Sequence, residues 1–108
     1  MESFTIDRKI WLRGEGYDKS WLLRSCDEKM CCIGQYALAK GVDKEALRGI
    51  VGLGSIASQY IKNLKFINSN ELSRFYFIND REDLTDSERE AKLIDMFLAQ
   101  GYTVTFMN

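Results

Sequence analysis

The sequence predicts an α+β domain: a small antiparallel sheet of about three strands, an N-terminal hairpin plus a C-terminal strand, with helices packed on one face. Three stretches predict it. Met30 to Gly41 is apolar on almost every side, the pattern of a helix buried at the domain centre rather than of a surface helix. Thr85-Asp86-Ser87-Glu88 fits a capping box, in which Thr85 bonds the amide of Glu88 and Glu88 reaches back to Thr85. Tyr102-Thr103-Val104-Thr105-Phe106 alternates bulky and polar residues, as a half-buried strand does.

The remaining elements follow in order. Phe4, Ile6, Ile10, Trp11 and Leu12 mark a first strand with an irregular lead. The glycines of Gly14-Glu15-Gly16 break it into a loop. Ser20 to Ser25, short and rich in aromatic and aliphatic residues, reads as a second strand antiparallel to the first. Asp27 is placed to cap the central helix, which Gly41 ends. Asp43 caps a short helix through Leu47 and Arg48. Gly49 to Ser55 is sharply turned, and Ser55 opens a helix from Ile56 to about Leu64. Residues 66–78 mix strand-forming and helix-forming types and are read as a packed helical or irregular segment. Asn79 to Asp83 reads as an exposed charged loop. The capping-box helix runs to about Gln100, with Ala91, Ile94, Phe97 and Leu98 inward, and Gly101 stops it.

At 108 residues the chain is read as a single domain, residues 1–108. A net charge of −1 gives no drive toward nucleic acid or an anionic membrane surface. No apolar run reaches the length of a membrane span, and the first residues lack the basic and apolar blocks of a signal peptide. A cytoplasmic setting is expected. Cys26, Cys31 and Cys32 are an odd set, read as free thiols that pack as small hydrophobes.

The chain has no histidine, which excludes Ser-His, Cys-His and His-metal chemistry. No metal or cofactor is expected. The carboxylate pairs Asp80 with Asp83 and Asp27 with Glu28 sit where capping and solvation account for them, and Gly49 to Ser55 lacks the lysine of a phosphate loop. The best candidate for a binding surface is Trp11-Leu12-Arg13-Gly14-Glu15-Gly16-Tyr17, with arginines and aromatics flanking a glycine loop. Arg8, Trp11, Arg13, Tyr17 and Arg24 are the candidate ligand-binding residues, the guanidinium groups suiting phosphate or carboxylate. The plainer alternative puts Trp11 and Trp21 in the core and leaves the arginines solvated.

Trp11-Leu12-Arg13-Gly14-Glu15-Gly16, Ser20, Leu22-Leu23-Arg24, Lys29-Met30-Cys31-Cys32-Ile33-Gly34, Ile78-Asn79-Asp80 and Leu84-Thr85-Asp86-Ser87-Glu88-Arg89-Glu90-Ala91-Lys92 together resemble a pattern in small uncharacterised phage and prophage proteins. Residues 43 to 75 are not part of the resemblance. The chain departs from the pattern at Glu28, where a glycine is expected, and at Lys40, where a small residue is expected. The resemblance implies a small phage-encoded, non-enzymatic binding protein in the bacterial host cytoplasm. It implies antagonism of a host antiviral defence, by sequestering a nucleotide-derived signal or by blocking a defence protein. A homodimer or higher homo-oligomer fits if Tyr76 or the C-terminal strand edge is exposed. The alternatives are an unfamiliar enzyme using carboxylates or a cysteine, and a phage structural or morphogenesis protein.

Overall fold

The computed structural model describes residues 2–14, 21–53 and 67–108. These form, in order, β1 (Glu2–Asp7), α1 (Cys32–Ala39), α2 (Lys44–Leu47), α3 (Ser69–Asp80), α4 (Asp86–Ala99) and β2 (Tyr102–Met107). The class is α+β, but the sheet departs from the expected one. Among the described residues it has two strands, and they run parallel, with Phe4 beside Val104 and Ile6 beside Phe106.

The parallel pairing follows from where α4 ends. Gly101, with φ at +92°, stops the helix. Its carbonyl accepts from the amide of Glu2 at 3.3 Å. β2 therefore starts beside the start of β1 and must run with it. The expected hairpin partner, Ser20 to Ser25, forms no strand in its described part. Leu22 and Leu23 are both fully buried, so the segment does not turn one face to the core and one to water as a half-buried hairpin strand would. Their backbone bonds go instead to loops: Leu22 N–H to Ile50 C=O at 2.7 Å, and Gly49 N–H to Leu23 C=O at 2.8 Å.

Helix α1 is buried from Cys32 to Ala37, as its apolar composition requires. Its cap is Cys31, whose Sγ accepts from Gly34 N–H at 3.4 Å, and not Asp27. Gly34 is required here by space. A Cβ at that position would stand 2.0 Å from the carbonyl oxygen of Leu22. Asp43 caps α2 as expected. Asn68 caps α3, its Oδ1 accepting from Glu71 N–H at 3.0 Å, so most of residues 66–78 is helical. Both bonds of the Thr85–Glu88 capping box form, at 2.9 and 3.1 Å. The helix expected from Ile56 to Leu64 lies outside the described residues.

The core gathers under one face of the sheet. Phe4, Ile6, Tyr102 and Val104 are buried there against α1 and α4, while Ser3, Thr5, Thr103 and Thr105 on the other face are exposed. Phe97 sits at the centre, its ring 5.0 Å from Phe4 and 4.5 Å from Phe75. Full burial of one such ring stabilises by about 1.5–3 kcal/mol. The inward stripe of α4 is rotated from the expected one. It runs through Arg89, Leu93 and Phe97, and leaves Ala91, Ile94 and Leu98 exposed.

Candidate functional site

The chain leaving β1 carries the first wall of the site. Trp11 is bridged in parallel to Met30. Leu12 N–H donates to Met30 C=O at 2.9 Å, and Met30 N–H to Ile10 C=O at 2.7 Å. This holds the Trp11 indole inward, almost fully buried and 4.9 Å from the Phe106 ring. Its Nε1–H donates to Asn79 Oδ1 at 2.9 Å. Arg13 then lies over the Trp11 ring at 4.5 Å. Its guanidinium donates to the carbonyls of Arg8 and Trp11 and to Asp86 Oδ2 at 2.9 Å.

Asn79 is the polar hub behind this wall, and it is fully buried at the end of α3 instead of lying in an exposed loop. Its Oδ1 accepts from Trp11 and from Cys32 N–H, and its Nδ2 donates to Leu12 C=O and Asp80 Oδ1. Its own carbonyl accepts from Gly14 N–H at 2.8 Å. Four partners distant in sequence thus converge on one side chain and its backbone. A buried amide is tolerable only when so satisfied.

Arg89 forms the floor, only 2% exposed. Its guanidinium donates to Asp86 Oδ1 at 2.8 Å, to Leu84 C=O at 3.1 Å and to Arg81 C=O. Its Nε has no hydrogen-bond partner among the described residues. Gly14, at φ +64°, makes room for it, because a Cβ there would meet Arg89 Nη2 at 2.9 Å. Asp86 accepts from both Arg13 and Arg89, and the Arg13 hydrogen bond is the largest cause that lowers its pKa.

Together these residues border an open cleft of about 390 Å³, lined by Trp11, Arg13, Lys29, Glu82, Asp86 and Arg89 among others. Three cationic and two anionic side chains line it, a surplus of one positive charge. Among the described residues no carboxylate pairs with Lys29.

Of the five residues picked from the sequence, Trp11 and Arg13 meet at this cleft. Arg8 does not line it. Its guanidinium is held by Glu90 through two bonds of 2.8 Å, and that pairing raises its pKa. Arg24 is likewise joined to Asp27, at 3.1 and 2.7 Å, away from the cleft. Tyr17 lies outside the described residues. Lys29, Asn79 and Arg89 were not picked as site residues from the sequence and figure there only in the resemblance. Lys29 precedes a helix and Arg89 sits inside one, and no spacing links either to Trp11.

Of the other chemical candidates, Cys31, Cys32, Asp27 and Asp83 occupy unreactive settings, while Cys26 is exposed. Cys31 and Cys32 are fully buried, and burial raises the Cys31 thiol to about 12 and Cys32 well above its usual value. That disfavours the nucleophilic thiolate. Asp27 is lowered to about 2 by its bond to Arg24, and Asp83 is lowered by Arg81. Both shifts oppose what a general acid needs. A second, apolar groove of about 420 Å³ lies between α3 and α4, bordered by Ser73, Arg74, Phe77, Ile78 and Met96.

Comparison with known proteins returned no match, whether to family models, to curated sequences or to solved structures. Among the described residues no helix is long and apolar enough to cross a membrane.

Proposed function

We propose that the protein is a small phage-encoded, non-enzymatic binding protein that antagonises a host antiviral defence by sequestering a nucleotide-derived signal in the Trp11–Arg89 cleft. The observation that carries this reading is the open, net-cationic cleft itself, in which Arg13, Lys29 and Arg89 outnumber Glu82 and Asp86. A phosphate group is the complement of such a surface. Arg13, over the Trp11 ring at 4.5 Å, adds a planar cation at the rim. Lys29 adds a point charge. The phage setting rests on the sequence resemblance. A cytoplasmic location accords with that setting.

The route through blocking a defence protein has one observation in its favour. Phe77 is 63% exposed beside the apolar groove, and exposed aromatics anchor protein interfaces.

The test is native mass spectrometry of the protein purified gently from infected cells, followed by calorimetric titration with mononucleotides and cyclic oligonucleotides. The sequestering reading expects an added mass of a few hundred daltons that is lost on denaturation. It also expects Lys29→Glu to abolish binding of the anionic probe while the circular dichroism spectrum is unchanged. A clean apo mass, with a host protein co-purifying at fixed stoichiometry, would instead support the blocking route.

A further inference from the structure

The geometry points to a homodimer formed by antiparallel pairing of β2 with β2 of a second copy, about a two-fold axis at Val104, giving a continuous four-stranded sheet. This inference is independent of the proposed function.

The phase of the ladder identifies the outward backbone groups of each strand. Glu2 N–H donates to Gly101 C=O and Arg8 N–H to Met107 C=O. In a parallel ladder the N–H and C=O of one residue point to the same side. The even residues of β1 and the odd residues of β2 therefore face each other. Ser3, Thr5 and Asp7 point outward from β1, and Tyr102, Val104 and Phe106 point outward from β2.

The two outer edges are treated differently. At β1, the side-chain amide of Gln35 caps Asp7 as a strand would. Its Oε1 accepts from Asp7 N–H at 2.7 Å and its Nε2 donates to Asp7 C=O at 3.2 Å. β1 also carries Glu2 and Asp7 at its ends. Neither device protects β2. Among the described residues nothing bonds the outward backbone groups of Tyr102, Val104 and Phe106. The strand Tyr-Thr-Val-Thr-Phe-Met has no charge and no proline. Such an edge is a template for another strand.

The sequence of β2 selects a second copy as that strand. Aromatic-Thr-Val-Thr-aromatic reads the same in both directions. A two-fold axis at Val104 sets Val104 opposite the partner's Val104, and Tyr102 opposite the partner's Phe106. All three outward residues then form hydrogen-bonded pairs, with about six backbone bonds across the axis. Thr103 falls opposite the partner's Thr105 on the exposed face.

Two further observations agree. A parallel sheet is ordinarily covered on both faces and larger than two strands, whereas here one face is open. And α4, the helix packed on β2, keeps Ala91, Ile94 and Leu98 exposed along one stripe. An axis normal to the sheet brings both copies of α4 to the same side of it.

The test is sedimentation equilibrium on the whole chain and two paired variants, with circular dichroism as the check on folding. The wild type is expected at twice its 12.5 kDa chain mass at tens of micromolar. Thr103→Lys with Thr105→Lys places like charges opposite each other across the axis, and raises the dimer dissociation constant by roughly tenfold or more. Thr103→Lys with Thr105→Glu places opposite charges there and returns the dissociation constant to within about threefold of wild type. A monomeric wild type overturns the inference. So does a lysine pair that dimerises as wild type does, or a lysine–glutamate pair no tighter than the lysine pair.

Discussion

The corner built on Asn79 and the rim of the molecule use the same polar residue types in opposite circumstances. At the corner, Trp11, Cys32, Leu12 and Gly14 bond one buried residue from positions far away in the chain. Along the rim, Arg24 with Asp27, Arg48 with Glu45 and Arg81 with Asp83 join residues two or three apart, near water. The corner's bonds fix tertiary structure, since each closes a long loop and none can be replaced by solvent. The rim's pairs exchange one hydrated state for another, and such pairs add little. The value of a polar contact in this fold is therefore set by burial and sequence separation, not by residue type.

The largest effect that can test this difference is expected at the hub. Asn79→Leu leaves the Trp11 indole N–H and the Cys32 amide without an acceptor, and the Leu12 carbonyl without a donor. Several buried unsatisfied groups at once should lower stability by roughly 3–5 kcal/mol. Urea denaturation measures it, and a loss under about 1 kcal/mol would remove the distinction between corner and rim.

Arg89 comes next. Arg89→Ala strips donors from the Leu84 and Arg81 carbonyls and one of the two guanidinium groups from Asp86. The open cleft admits water to the vacated space, so the expected loss is smaller, on the order of 2–3 kcal/mol. Arg89→Lys should recover less than half of it. One ammonium cannot reach a carboxylate and two carbonyls from a fixed planar fork. Equal stability of the lysine variant and the wild type would show that Arg89 acts only as a point charge.

The legibility of the sequence divides along the same line. Local signals were readable: the capping box at Thr85, the cap at Asp43, the buried run from Cys32 to Ala37 and the alternation of β2 all depend on neighbours in the chain. Non-local choices were not. Antiparallel and parallel pairing of β1 share one hydrophobic pattern, and only the end of α4 beside Glu2 decides between them. Ser20 to Ser25 has strand composition, yet loops at 29–31 and 48–50 claim its described backbone. Ala91, Ile94 and Leu98 form a proper helical stripe that the single chain leaves exposed. At the site, Trp11 and Arg13 were found because they lie together in one segment. Arg89 was not, because an arginine in a helix looks the same buried or solvated.

A smaller effect, of opposite sign, is expected at Glu28. This residue has φ at +61°, in the left-handed region. The turn that holds it runs from Arg24 to Lys29. A side chain there carries a steric penalty that glycine avoids. The ion pairs of Glu28 with Lys44 at 3.9 Å and Arg48 at 3.6 Å are long and exposed, so their loss offsets little. Glu28→Gly should raise stability by about 0.5–1 kcal/mol, read as a higher urea midpoint at unchanged slope. A fall in the midpoint would mean that the rim pairs at Glu28 count for more than the comparison allows.

The smallest effect is expected from Asp27, and it is best seen through pH. Its carboxylate is held at about 2 in the folded chain, chiefly by Arg24 and also by the Lys29 amide, against an ordinary value near 3.8. A depressed folded pKa means that the unfolded chain takes up the proton first. The linked stability is present above about pH 4 and disappears as pH falls through about 2. Asp83, Asp86 and Glu88 are lowered in the same direction, so the wild type should lose stability over the acid range by their combined effect. Asp27→Asn keeps an oxygen that can accept from Lys29 N–H and removes the titration. It should lower the urea midpoint at pH 7 only slightly, by no more than the wild type loses at Asp27 on acidification, and flatten the midpoint's dependence on pH between about 4 and 2. A clear loss at pH 7 would show that this exposed pair carries structural weight, and would move it from the rim to the side of Asn79.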